Sequence, residues 1–323
     1  MHLVVGALSA VFAIAPILVL LWLVWWLDRY DREPIWLVVA VFCWGAVGGT
    51  GLSLFGATAM ITPLQSTLSP ERLADLTVVL IAPLVEEPAK ALVLLVLALS
   101  RHFDNTTDGF VYGTAAGLGF AMTENFLYFI SVGSGGDWVA YAGTVVVRTV
   151  YSALMHACAT SVVGAAVGFA KLRGWRVRLT AVPAGLVTAM AIHALWNGLL
   201  MADERLGAGG RLVAADFVLF WAEFLLLFAI FQLCLLDERV MIRAELARED
   251  HLIPPVHVPI LASYVRRTRE DWLPAHIDQE AYVVAATTLA FRKHQSAGRD
   301  LHTEEISELR AAIDRLLRPP QDA

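Results

Sequence analysis

Residues 76–99 read LTVVLIAPLVEEPAKALVLLVLAL, an apolar run with Glu86, Glu87 and Lys90 set near its middle. About 20 such residues suffice to cross a bilayer as a helix. A charge at the centre of a span costs roughly 2.5–3.5 kcal/mol on insertion scales. Three ionisable groups within five residues are therefore kept for a reason, and helix packing alone does not need them. Glu86 and Lys90 stand at i and i+4 and share a face; Glu87 reaches the same lysine at i+3. Lys90 offsets one carboxylate. The other is left in a medium that raises its proton affinity toward that of a useful general base. Pro88 removes a backbone donor and frees the Leu84 carbonyl one turn earlier, and Pro83 repeats the effect upstream.

The rest of the chain agrees with a membrane solvent. Of 323 residues, 58% are hydrophobic and 17% charged, against about 25% charged in soluble domains. The mean hydropathy is +0.62. The net charge of −6 offers no nucleic-acid footprint. Seven apolar runs are long enough to span: 3–27, 35–60, 76–99, 109–131, 139–170, 179–201 and 213–236. The first has too long an apolar run, with no basic residue before it, for a cleavable signal peptide. Arg29, Arg32, Arg101, Lys171, Arg173, Arg176 and Arg178 fall in the odd-numbered loops; Arg72, Arg205 and Arg211 fall in the even ones. The positive-inside rule then places the N-terminus outside and the C-terminus in the cytoplasm. Cys43, Cys158 and Cys234 lie in apolar stretches and read as small core residues. The composition turns polar at Asp237. Two amphipathic helices are expected beyond it, near 277–294 and 303–318, with five scattered histidines and no metal-ligand spacing. The predicted fold is an all-α polytopic bundle over 1–236, with a core at about 76–201 and a small cytoplasmic tail over 237–323.

Other polar residues interrupt the later runs. The fourth contains Phe120-Ala121-Met122-Thr123-Glu124-Asn125. Gly109, Gly113, Gly117 and Gly119 precede it, and their default role is close helix packing. The fifth holds Arg148 and His156. The sixth holds His193 and Asn197, which share a face at i and i+4. A lone histidine is more often a satisfied core residue. Two of them in a bundle already holding three glutamates point to function. Arg148 reads equally well as a snorkelling interface residue. Glu223, with Asp216 one heptad earlier, either faces the same cavity or braces a helix. At 1.5 Å rise per residue, Glu86, Glu124, His156 and His193 fall about 9–15 Å below the outer face, in one layer of four helices.

The elements Glu86-Glu87-x-x-Lys90, Phe120-x-x-x-Glu124-Asn125 and His193-x-x-x-Asn197 together resemble the PrsW family of intramembrane proteases, distant relatives of the CAAX prenyl endopeptidases. The resemblance covers about residues 76–201 and implies peptide-bond hydrolysis. It implies Glu86 as the base with Glu87 and Lys90 in support, and Glu124 and Asn125 as the second element. His193 and Asn197 form the third, in which a histidine-asparagine pair supports the oxyanion. The prenyl endopeptidases carry Glu-Glu-x-x-x-Arg and Phe-x-x-x-His, whereas this chain has Ala91 and Glu124 at those places. The departure leaves the histidine partner open, and His156 is a candidate. Both a zinc site of Glu86, Glu124, His156 and His193 and a metal-free glutamate mechanism are compatible with these residues. The absence of a His-Glu-x-x-His helix tilts the reading toward the metal-free form. In the namesake branch the implied substrate is an anti-sigma factor, a single-pass membrane protein cut on its outer side.

Two rival readings use the same charges. A proton- or ion-coupled transporter would show internal repeats or paired broken helices, and neither is visible in the sequence. A scaffold whose charges only specify helix pairing would have Glu86 and Lys90 bridged and closed off from any cavity.

Overall fold

The computed structural model describes residues 2–28, 33–100, 103, 105–171, 173–206, 213–269, 272–296 and 302–318. Arg29, Arg32, Arg101 and Arg211, used above for orientation, lie outside them, as does the side chain of Asp216. Every regular element among the described residues is helical. Seven long helices come first. They are α1 (His2–Leu27), α2 (Ile35–Leu64), α3 (70–97), α4 (Thr106–Ser134), α5 (Trp138–Lys171), α6 (Trp175–Leu206) and α7 (Val213–Leu246). Of these, α1, α2, α5, α6 and α7 are long and apolar enough to cross a membrane. The expected third and fourth runs fall in α3 and α4, whose charges lower their apolarity.

Local chemistry sets the helix starts. Ser69 accepts from the Arg72 amide ahead of α3, with Pro70 in the first turn. Asn105 and Asp108 form a reciprocal capping box on α4. Asp137 accepts from Val139 and Ala140 at the start of α5. Pro88 lies inside α3 without ending it.

Residues Met1–Leu27 and Glu33–Phe231 form one compact unit. Its centre is α4, buried continuously from Thr107 to Ala121 and packed against α1, α2 and α5. The glycines make this contact possible. A Cβ on Gly109 would stand 2.0 Å from the Gly164 carbonyl oxygen, and one on Gly117 would stand 2.3 Å from that of His156. The α4 and α5 backbones thus touch along their length. Polar groups are gathered inside, while Val11, Leu18 and Trp22 of α1, Phe55 of α2, and Leu225 and Phe228 of α7 are exposed. That is the sorting expected of a bundle in lipid. Cys158 and Cys234 are buried as expected; Cys43 is exposed, so it is not a core residue.

Three π-helical turns interrupt these helices, at Trp44–Gly49 in α2, Thr77–Ile81 in α3 and Arg148–Ser152 in α5. Such turns are rare and concentrate at functional sites.

Residues Asp28–Arg32 and Gln232–Ala323 form the second unit. It contains two short helices, α8 (Val258–Leu261) and α9 (Tyr264–Arg267), and two longer ones, α10 (Gln279–Gln295) and α11 (Thr303–Leu317). The longer pair lies where amphipathic helices are expected. Tyr282, Ala286, Leu289 and Ala290 recur at helical spacing on α10 and pack into a core with Ile242, Leu246, Leu261 and Ile313. Buried Glu249 is clamped by Lys293 at 2.6 Å and Arg310 at 2.7 Å.

Candidate active site

Four helices each bring a polar group to one cluster in the first unit. On α3, Glu87 and Lys90 have no exposed side-chain surface, and their ion pair is 2.7 Å long. Glu87 Oε1 also meets His193 Nδ1 of α6 at 2.8 Å, and Thr160 of α5 donates to its other oxygen at 3.4 Å. Lys90 Nζ stands 2.9 Å from His156 Nδ1 and 4.0 Å above the Phe120 ring. His156 Nε2 meets Glu124 Oε2 of α4 at 2.8 Å. Arg148 closes the chain of contacts, 2.7 Å from the same carboxylate. The two imidazoles lie edge to face, their centroids 5.0 Å apart.

Glu86 behaves differently from its neighbour. Its Oε2 lies 3.6 Å from Lys90 Nζ and 3.8 Å from His193 Nε2, too far for hydrogen bonds. This buried oxygen has no hydrogen-bond partner among the described residues, a state that ordinarily costs about 1–3 kcal/mol. Glu86 also lines a cavity of about 160 Å³, together with Thr77, Glu124, Arg148, Ser152, His156 and Asn197. The scaffold reading, which needs these charges sealed off, does not describe such a site.

The sequence-derived residues thus meet, but not all in the manner implied. Asn197 spends its amide on the Val78 carbonyl at 2.8 Å. That oxygen is available because the π-turn sends the Ala82 amide to Thr77, and Pro83, next along, has no N–H. Asn125 donates to the Arg148 carbonyl at 3.0 Å and accepts from Arg148 Nε at 3.0 Å. Thr123, on the other side of Glu124, donates to the Ala46 carbonyl at 2.7 Å. Each π-turn therefore has one carbonyl held by a side chain from a neighbouring helix. Arg148 is no snorkelling residue: it braces Glu124 and stacks 3.7 Å over Tyr128. Glu223 is buried but does not line this cavity. The sequence reading missed Ser152, Thr160 and Thr123. Arg148, Ser152, His156 and Thr160 do follow one another every four residues. Hydroxyls at that spacing are too common in packed membrane helices to stand out.

Glu86, His156 and His193 offer donor atoms all within 4.8 Å of one another. The donor chemistry fits a divalent cation in several respects. Glu86 Oε2 lacks a partner. His193 is oriented through Nδ1 by a carboxylate, the usual support of a metal-bound imidazole. Among the described residues of the cluster, three carboxylates, of which Glu87 is fully buried, face two permanent cations, Lys90 and Arg148. His156 is engaged at both ring nitrogens, and Glu124 is not a member of the group.

Comparison with known proteins bears on what such a cluster does. Residues 33–230, more than half of the chain, match the PrsW family, described as intramembrane metalloproteases. The chain is 29% identical to Protease PrsW of Bacillus subtilis (strain 168) over 193 residues, covering 58% of this chain and 81% of that protein. It is 34% identical to Protease PrsW of Clostridioides difficile (strain 630) over 126 residues, covering 37% of this chain and 49% of that protein. It is 28% identical to Protease PrsW of Geobacillus kaustophilus (strain HTA426) over 181 residues, covering 56% and 74%. No solved structure matches.

Proposed function

The chain belongs to the PrsW family of intramembrane proteases, and from that premise we propose that Glu86 is the general base of a peptidase acting on a single-pass membrane protein near the outer leaflet. The observation that carries this is that Glu86 lines the cavity and its Oε2 has no hydrogen-bond partner among the described residues, next to a Glu87 that is fully engaged. A base needs a free lone pair within reach of water. Of the adjacent pair, only Glu86 lines the cavity and keeps an oxygen without a partner among the described residues.

In this reading a water in the cavity attacks the carbonyl carbon of the scissile peptide and passes a proton to Glu86. Glu86 returns that proton to the amide nitrogen as the carbon–nitrogen bond breaks. Glu87 fixes the ring of His193 and, with Lys90, keeps the charge of the site in place. Glu124 sets the ring of His156 from the other side. Glu86, His193 and His156 are the residues that would hold a divalent metal, His156 by giving up its contact with Lys90 or Glu124. When bound, a metal supplies Lewis-acid polarisation and a lowered pKa for water. The family's description as metalloproteases runs against the metal-free tilt of the sequence. The transporter reading is not favoured, since the family is one of peptidases. An anti-sigma factor is the substrate proposed from the namesake branch.

The test is cleavage of a single-pass substrate co-reconstituted in proteoliposomes. Glu86→Gln is expected to lower the rate by about 10²–10⁴-fold, the usual worth of a general base. Cleavage by this variant at the wild-type rate would sink the assignment. Chelation followed by zinc addition decides the metal: loss and recovery support it, and full activity throughout rejects it.

A further inference from the structure

We propose that the Ser152 hydroxyl donates the hydrogen bond that holds the carbonyl oxygen of the scissile peptide as negative charge develops on it. This rests on the peptidase reading above and names a residue that the three motifs do not contain. Hydrolysis moves an electron pair onto that oxygen, and a pre-placed donor is usually the largest single contribution to lowering the barrier. The resemblance implies Asn197 for the task. The Asn197 amide, however, is bound to the Val78 carbonyl at 2.8 Å, and that of Asn125 to the Arg148 carbonyl at 3.0 Å. Each amide thus commits one of its two N–H donors to a scaffold carbonyl.

Ser152 is in the opposite state. It lines the cavity beside Glu86 and His156, is 1% exposed, and its Oγ has no hydrogen-bond partner among the described residues. The π-turn explains why. A helical serine normally turns back to the carbonyl four residues earlier, here that of Arg148. That oxygen already accepts from the Ala153 amide and from Asn125 Nδ2, which fills both of its lone pairs. The hydroxyl is left with a proton that this carbonyl does not take. Arg148 begins the same turn and is pinned by Glu124 and Asn125. The position of Ser152 is therefore fixed before substrate arrives.

The chemistry balances without a serine nucleophile. The water oxygen bonds to the carbonyl carbon, its proton goes to Glu86, and the carbonyl electron pair moves to oxygen, where it accepts from Ser152. On collapse the carbonyl re-forms, the carbon–nitrogen bond breaks, and Glu86 protonates the leaving amine. Ser152 keeps its own proton and forms no covalent bond.

The experiment measures kcat and KM for the proteoliposome substrate with wild type, Ser152→Ala, Ser152→Thr and Glu86→Gln, after checking that each variant unfolds at the wild-type temperature. Ser152→Ala is expected to lose about 10²–10³-fold in kcat with little change in KM. Ser152→Thr, which keeps the hydroxyl, should stay within about tenfold of wild type. A fluorophosphonate should not label the protein. Wild-type kcat in Ser152→Ala, an effect confined to KM, or labelling at Ser152 would each overturn the inference. If Glu86→Gln is dead and Ser152→Ala is not, only this inference fails. If Glu86→Gln cleaves normally, the peptidase assignment of that base fails first.

Discussion

Glu87 lies between Lys90 and His193, at 2.7 and 2.8 Å, with none of its side chain exposed. Removing one member of such a buried pair leaves the other charge stranded, which costs about 3–5 kcal/mol. Lys90→Met should therefore lower the unfolding temperature in detergent sharply, and adding Glu87→Gln should recover part of the loss. A double variant no more stable than Lys90→Met would show that the pair is not coupled. Arginine should not replace Lys90, because a planar fork cannot take the place of a point charge met by Glu87, His156 and the Phe120 face. At this scale the sequence disclosed which residues matter and much less of what each does. Spacing put Glu86 and Glu87 both within reach of Lys90. It could not say which carboxylate keeps a free oxygen, because that depends on His193 and Thr160, more than 70 residues away in the chain.

The π-turns belong to the scale of the element. A turn with one extra residue leaves a carbonyl out of register, and in lipid that carbonyl must find a donor in the protein. Asn197 is that donor at Val78, while Asn125 adds a second bond to the Arg148 carbonyl and Thr123 donates to that of Ala46. Asn197→Ala leaves the Val78 carbonyl unpaired and should cost about 1–3 kcal/mol, read as a lower unfolding temperature in detergent. A fall in kcat with unchanged stability would instead return Asn197 to direct catalysis. The glycines act through whole helices too. Gly117→Val places a branched side chain where even a Cβ stands 2.3 Å from the His156 carbonyl. It should destabilise by at least the 1–3 kcal/mol or so of ordinary overpacking, and should displace His156 and abolish cleavage. The glycine row was legible as packing because its four-residue spacing is regular. The π-turns were not: of the signals used, only the two prolines of α3 marked a broken ladder, and of these Pro83 is the one whose freed carbonyl a side chain takes.

At the scale of the molecule, residues 232–318 are more than an appended tail. Burial alone would raise the Glu249 carboxyl, but the hydrogen bonds and charges of Arg310 and Lys293 outweigh it and hold the group below its ordinary value. A depressed carboxylate stabilises the fold above its unfolded-state pKa, and that stability is lost as pH falls through the folded value. The second unit should therefore lose amide-exchange protection below about pH 4, and Glu249→Gln should weaken it already at neutral pH. An unchanged exchange pattern in that variant would remove the clamp from the stability of the unit. The polar composition after Asp237 marked a change of environment. It hid the core of this unit, whose apolar residues come from α7, α8, α10 and α11 in turn. Orientation is open to direct measurement. In a background lacking native cysteines, Ser66→Cys between α2 and α3 should react with an impermeant maleimide from outside, and Gly174→Cys between α5 and α6 should not. The reverse pattern would invert the proposed topology.

The helices α3 and α4, which carry the three site carboxylates, are also the two long helices that fall short of spanning apolarity. Each would insert poorly as an isolated segment, since α3 has one lysine for two carboxylates and Glu124 of α4 finds its partners on α5. Arg148 and His156 of α5 and His193 of α6 are made after them during synthesis. Biogenesis must therefore hold α3 and α4 at the translocon, or shelter them against α1 and α2, until α5 and α6 emerge. The hydrolytic centre would then be the last part of the bundle to mature, and a chain stalled halfway through translation would carry the carboxylates without a working enzyme.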